Sequence, residues 1–302
     1  MFAIGRVQLT PVTTRAETER LVGTRARMIL FLLLSSLPIL EISADVFGLV
    51  SQRTSGMVLL LPLAAILAVV ITFFPHATDS IIARGLVAGM VACLVYDGFR
   101  LFAVYVLGSM GDFIPTMGTW ITGDANTGTG ALVGYIWRYL GDGGGLGVAF
   151  YIVAFAAGLQ HWSSRPRVVL AAVGYAVFPV WTGLIATVAL ARRGEQMMFR
   201  LTPSAITITL IGHLIFGFVL GLGFLAARRS CAEWPWTPLL PRAAHLLSSR
   251  AAWNLKKTPG ILAGAGTIAT AAPARSSRAT RPEIHCGPVA GPSAQDTTKA
   301  TI

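Results

Sequence analysis

Apolar runs and charged interruptions divide this chain more sharply than any motif does. Between about residue 28 and residue 227, long apolar stretches alternate with short polar connections. A run of roughly 20 apolar residues is long enough to cross a hydrocarbon core as a helix. Inside lipid every backbone N–H and C=O must be satisfied within the segment, which a helix achieves. The period-2 alternation of a membrane β-barrel is absent. The pattern predicts an all-α, polytopic transmembrane helical bundle of about six spans, over 28–50, 57–74, 81–109, 146–161, 168–191 and 204–227.

The fourth of these is ambiguous. Residues 130–140 read as a short aromatic helix, Gly141 to Gly145 interrupt it, and 146–161 is apolar again. A piece that short cannot cross a bilayer at 1.5 Å per residue, so a re-entrant or interfacial segment is expected near 130–145. A seven-span alternative makes that segment cross. Ahead of the bundle, residues 1–27 form a basic N-terminal segment with Arg6, Arg15, Arg20, Arg25 and Arg27. The long polar leader and the lack of a small-x-small cleavage site favour a retained first span over a signal peptide. Behind the bundle, residues 228–302 read as a basic tail. Trp234 and Trp236 suit an interfacial anchor, 241–257 a short amphipathic segment, and the Gly-, Ala-, Ser-, Thr- and Pro-rich remainder disorder.

Composition agrees with the pattern. Hydrophobic residues make up 54% of the chain and charged residues 12%, with a mean hydropathy of +0.66, too little charge for a soluble surface. The net charge of +11 raises the possibility of a nucleic-acid partner, but its distribution argues against one. Ten of the 24 Lys and Arg lie from Arg228 onward and five before residue 28, where basic flanks set topology and meet anionic headgroups. With six spans and both termini cytoplasmic in the cell membrane, the uncharged-by-cation stretch 110–129 lies outside. The loop 192–203, with Arg192, Arg193 and Arg200, then falls on the disfavoured side. Cys93, Cys231 and Cys286 have no metal-site or disulfide spacing.

Ionisable groups inside apolar runs carry the functional signal, because a central Asp or Arg costs about 2.5–3.5 kcal/mol to insert and therefore faces the interior with a partner. Asp97 and Arg100 are i,i+3 in the third span and share a face. They are either a local ion pair that makes the span insertable or the polar floor of a site. Glu41 and Asp45 are i,i+4 in the first span. Two carboxylates so close in low dielectric do not both stay ionised, and a carboxyl that keeps its proton is what a general acid requires. The alternative places Asp45 among the headgroups. His213 lies above Gly217 and Gly221, a GxxxG-type strip suited to close helix approach. A structural hydrogen-bonded histidine is the bland reading of His213. In the six-span topology Glu41, Asp45, Asp97, Arg100, Asp112, Asp124, Asp142, Trp120 and His213 all fall toward the outer side, with Tyr96, Tyr105, Tyr135, Trp137, Tyr139 and Trp181 adding aromatic surface there.

Several chemistries are excluded by pattern. The glycine run 141–147 lacks the Gly-Lys-Ser/Thr of a phosphate loop, and no HExxH, GxSxG, CxxC, DxxD or DxxxD occurs, so no metal or cofactor is expected. Acids among aromatics suit proton-initiated chemistry on an apolar molecule, a carboxyl donating the proton and ring faces stabilising the cation. We expect catalytic roles for Glu41, Asp45 and Asp97, and substrate contacts from Arg100, Tyr96, Trp120, Trp137, Trp181 and His213. The expected partners are membrane lipids and a hydrophobic small molecule, with a homodimer as a way to complete a transporter. A small transporter or accessory membrane subunit is the other functional class, favoured by Gly/Pro-interrupted spans and a midplane charge pair.

The Tyr96–Arg100 stretch (YDGFR) and the Gly212–Gly217 stretch (GHLIFG) resemble small bacterial polytopic membrane proteins without an assigned activity, which implies a membrane location. In size and in its acids near span ends the bundle also resembles integral-membrane terpene cyclases. That resemblance is architectural and implies an acid-initiated cyclase or isomerase of an isoprenoid-type substrate.

Overall fold

A computed structural model describes residues 15–231 and 234–240; the expected amphipathic segment at 241–257, the tail beyond it and Cys286 lie outside the described residues. The described chain is helical and contains no strand. Six helices are long and apolar enough to cross a membrane, and the protein is an integral membrane protein. They are α1 (Arg15–Val46, its apolar part Gly23–Val46), α2 (Gln52–Phe73), α3 (Asp79–Val106), α5 (Gly128–Ala157), α6 (Arg165–Leu190) and α7 (Pro203–Ala227). A short helix, α4 (Ile114–Thr122), lies in the connection between α3 and α5.

The fourth span differs from the sequence reading. The glycine run does not break the helix. Trp137–Gly144 winds as a π-helix and joins Thr127–Ile136 to Gly145–Ala157 in one continuous rod. No re-entrant or interfacial segment forms at 130–145, and the seventh crossing is absent from the six observed. The short non-spanning helix is α4 instead. It ends at Gly123, whose φ of 70° needs a residue without a Cβ, and α5 restarts at Asn126. The Asn126 carboxamide oxygen accepts from the amides of Gly128 (2.9 Å) and Thr129 (3.3 Å), satisfying two otherwise orphan donors. The α4–α5 hairpin closes on glycines: a Cβ on Gly118 would strike the Gly130 carbonyl, and one on Gly134 the Ile114 carbonyl.

Within lipid, apolar side chains gain nothing from leaving the solvent, so close backbone packing decides which helices meet. Gly85 and Gly89 of α3 face Gly143 and Gly147 of α5, and a Cβ on any of the four would meet a neighbour at 3.0 Å or less. The same role falls to Gly217 and Gly221, which lie against Val173 and Val169 of α6. α5 therefore sits centrally, with 67% of its most apolar stretch buried against 11% for α2. The apolar outer surface of α2, including Met57, Val58, Leu61 and Phe73, is what a lipid-facing helix presents.

Six spans place the polar ends of the bundle at two levels. At one, which we call the terminal end, Arg27 binds Asp79 through two contacts of 2.9 and 2.6 Å, and Arg228 donates to the Trp162 carbonyl at 2.9 Å. Trp234 and Trp236 stack edge-on there at 4.7 Å, the former near Phe155 and the latter under Arg25. At the other, the distal end, lie residues 47–51, 107–127 and 191–202, with Phe113 against Phe199 at 6.1 Å. The terminal half is solid: Phe224 is ringed edge-to-face by Phe150, Tyr151 and Phe155 at 5.2–5.6 Å. The distal half is hollow.

Close α3–α5 packing gives a direct test. Gly89→Ala pushes a methyl into the Gly143 carbonyl, an overpacking expected to cost about 1–3 kcal/mol. Gly98→Ala, where nothing lies within 4 Å of the new carbon, should be neutral or slightly stabilising. Thermal unfolding of the purified variants in detergent should lower the midpoint for the first and not the second.

Candidate functional site

The hollow half holds a partly open cavity of about 570 Å³ walled by five of the six spans. α1 contributes Ile39 and Ser43, α3 Tyr96 and Arg100, α5 Arg138 and Asp142, α6 Tyr175 and Leu184, and α7 Thr209 and His213, while Met110, Phe113, Met198 and Phe199 border it at the distal end. Most of its wall is apolar, and its guanidinium and carboxyl groups come from α3 and α5.

Those groups belong to a buried network centred on Arg100, which is 2% exposed. Its Nε donates to Asp97 Oδ1 (3.0 Å), Nη1 to Asp112 Oδ1 (2.8 Å) and Nη2 to the Tyr135 hydroxyl (3.2 Å). Tyr135 in turn donates to Asp112 Oδ2 at 2.9 Å, and Tyr105 does so at 3.1 Å. A second guanidinium, Arg138, places Nη2 3.3 Å from the same Asp97 Oδ1 and Nη1 3.8 Å from Asp142 Oδ2. Arg138 also lies over the Tyr96 ring at 4.8 Å, a cation–π contact strengthened by the dry surroundings. The network holds three carboxylates against two guanidiniums, so it carries one extra negative charge or one bound proton.

The backbone explains this placement. The π-helical turn at 137–144 carries both Arg138 and Asp142, and π turns interrupt spanning helices mostly where side chains must be re-aimed. A second π turn, Ala176–Trp181, contains Pro179 beside the cavity. Across from it the Tyr96 ring lies flat on Gly212, where a Cβ would overlap it, and this puts the ring 5.3 Å from His213. His213 Nδ1 is 2.7 Å from the Thr209 carbonyl.

Residues singled out from the sequence divide into two sets. Asp97, Arg100, Tyr96 and His213 meet at the cavity or directly behind it, together with Asp112 and Asp142. Glu41 does not line the cavity. It is buried, its Oε2 lies beside Gly56 and the Trp137 ring, and neither carboxylate oxygen has a protein hydrogen-bond partner. Asp45 accepts from the Gln52 amide at 3.0 Å and so caps the start of α2. Trp137 packs on the Glu41 side, Trp120 on α4 joins the distal apolar cluster, and Trp181 donates to the Thr209 hydroxyl at 3.1 Å. Asp124 caps its own turn through Asn126. Arg138 was not legible as a site residue, because a segment read as re-entrant is removed from the bundle interior. Its i,i+4 spacing to Asp142 was the available signal.

Asp112 lies outside the spans, and its carboxyl is held below its ordinary value. Burial acts to raise it, but the hydrogen bond and charge of Arg100, the Tyr135 hydroxyl and the Ile114 amide outweigh that. A depressed folded-state value contributes stability that is present above the ordinary carboxylate value of 3.8 and lost as pH falls through the folded value. Wild type should therefore exceed Asp112→Asn in stability at neutral pH, and the gap should shrink as pH drops below about 3.8. Chemical denaturation of both proteins across an acid series measures this.

In comparison with known proteins, no protein-family model, curated protein or solved structure matches this chain.

Proposed function

We propose that this integral membrane protein is an enzyme that acts on a lipid-like, isoprenoid-type substrate by acid-initiated chemistry inside the distal cavity. The observation that supports it best is one carboxyl, Asp142, among the described residues lining a mostly apolar cavity walled by five spans. Asp142 donates its proton to a carbon–carbon double bond: the O–H bond breaks as the new C–H bond forms. The carboxylate left behind sits within 4 Å of Arg138, and the carbocation lies among the faces of Tyr96, Tyr175, Phe113 and Phe199. The Tyr175 hydroxyl is tied to the Leu146 carbonyl at 3.2 Å, so its ring is what the substrate meets. Return of a neighbouring C–H proton to Asp142 discharges the cation and gives an isomer or a ring, with no other reactant consumed. Asp97 positions Arg138 and Arg100 rather than touching substrate. In this reading Glu41 and Asp45 act outside the reacting centre.

Cells with and without the gene should differ by an isoprenoid product. Asp142→Asn should lower its formation by about 10²-fold or more while the protein still inserts and elutes as a folded species. Full product from a folded Asp142→Asn protein would sink the proton-donor role. A carrier for the same class of molecule is the second reading, favoured by the π turns at 137–144 and 176–181 beside the cavity. It requires that a labelled lipid or solute cross liposomes unchanged.

We further propose that both termini are cytoplasmic and that the cavity faces the outer leaflet. The basic residues concentrated at the two ends of the chain support this, although Arg192, Arg193 and Arg200 oppose it. Glu195→Cys should then react with a membrane-impermeant maleimide on intact cells, and protection there with labelling only after lysis would reverse the orientation.

A further inference from the structure

On the polar side of the cavity most donors are occupied, Arg138 Nε and Asp142 Oδ1 lack partners but are shielded, and an imidazole nitrogen offers an accessible acceptor. Each nitrogen of Arg100 donates to a partner already named, and the Nη atoms of Arg138 face Asp97 and Asp142. The lining serine and threonine hydroxyls are engaged as well. Ser36 donates to the Leu32 carbonyl (2.8 Å), Ser43 pairs with Thr187 (3.2 Å), and Thr209 donates to the Ala205 carbonyl (2.8 Å) while accepting from Trp181. His213 is different. The Thr209 carbonyl can only accept, so the hydrogen of the 2.7 Å contact belongs to Nδ1. In that tautomer Nε2 carries a lone pair, and among the described residues it has no hydrogen-bond partner. His213 lines the cavity, with one ring edge fixed to its own helix and one face toward Tyr96.

Charge limits the ligand further. Asp97, Asp112 and Asp142 outnumber Arg100 and Arg138, so the cluster has no surplus cation whether it holds an extra negative charge or a proton. An anion entering the cavity would be desolvated without a compensating charge, which is unfavourable in a buried site. A hydroxyl meets the opposite situation, because its hydrogen finds a prepared acceptor and its chain finds apolar wall.

We infer that the cavity recognises a neutral amphiphile through a hydroxyl group that donates to His213 Nε2, and that it rejects anionic amphiphiles of the same length. This rests on the reading that the distal cavity is the substrate site, and it names the substrate class. A carboxylic acid or phosphate ester is excluded, and a plain hydrocarbon loses this directional contact.

Binding of tritiated tetradecanol to the full-length protein in nanodiscs, with empty nanodiscs as background, tests it. Unlabelled tetradecanol should displace the label at about one-tenth the concentration needed for tetradecane, or for tetradecanoic acid at a pH where it is ionised. A tenfold ratio corresponds to about 1.4 kcal/mol, the size of a single well-placed hydrogen bond. His213→Phe should bring the alcohol down to the level of the alkane, and His213→Gln, which retains an acceptor, should keep most of the preference. Tetradecanoic acid or tetradecane competing as well as the alcohol would overturn the inference, as would an undiminished alcohol preference in folded His213→Phe. Should His213→Phe not fold, the wild-type ranking of the three probes decides alone. Selective alcohol binding without lipid turnover would remove the catalytic reading and leave this one. Turnover without alcohol selectivity would do the reverse.

Discussion

Arg100 has to be neutralised inside a helix bundle, and much of the distal half is arranged around that requirement. A lone guanidinium in low dielectric costs several kcal/mol, and one neighbouring carboxylate on the same helix satisfies only part of its fork. Asp97 takes Nε, Asp112 takes Nη1 and Tyr135 takes Nη2. Those three partners come from α3, from the connection after it and from α5. One side chain therefore ties the 107–127 connection down over the bundle and holds the first half of α5 beside α3. Removing it would leave Asp97 and Asp112 as buried carboxylates with weakened compensation.

Glycine packing works with this charge constraint rather than independently of it. Gly85 and Gly89 let α5 approach α3 at Gly143 and Gly147, and the π turn immediately before that contact points Arg138 and Asp142 toward Asp97. Past the contact, the aromatic cluster around Phe224 packs the centre of the terminal half. Before it, the charge network joins α3 to α5, and α1, α6 and α7 complete the wall of the cavity. Its chemistry follows from its construction: apolar walls, a charge cluster without surplus cation, and an imidazole whose orientation its own helix fixes.

Legibility in the sequence tracked how local each cause was. The apolar runs alone gave the membrane bundle and the six spans, because twenty apolar residues have few alternatives. The Asp97–Arg100 spacing gave an ion pair on one helical face, and the structure contains it. The Gly217–Gly221 strip gave a close helix contact, and α6 fills it. Gly141 to Gly147, read as a break, became a continuous helix, because glycines that weaken an isolated helix are what a tightly packed neighbour requires. That single difference moved Arg138 and Asp142 from an expected re-entrant or interfacial segment onto a spanning helix in the bundle interior. Trp137, read as cavity aromatic, lies beside Glu41 and Gly56 and does not line the cavity.

The sequence by itself determined that the chain lives in lipid, roughly where six apolar spans fall, and that most acids within them gather toward one end. Those properties depend on transfer energies and on backbone hydrogen bonding, both of which act within a segment. Only the tertiary structure decided which charges meet. Asp97, Asp112, Arg138 and Asp142 are scattered over 46 positions of the chain, and His213 lies far beyond them. Their meeting depends on helix order and rotation, which contacts between spans set and no single span encodes.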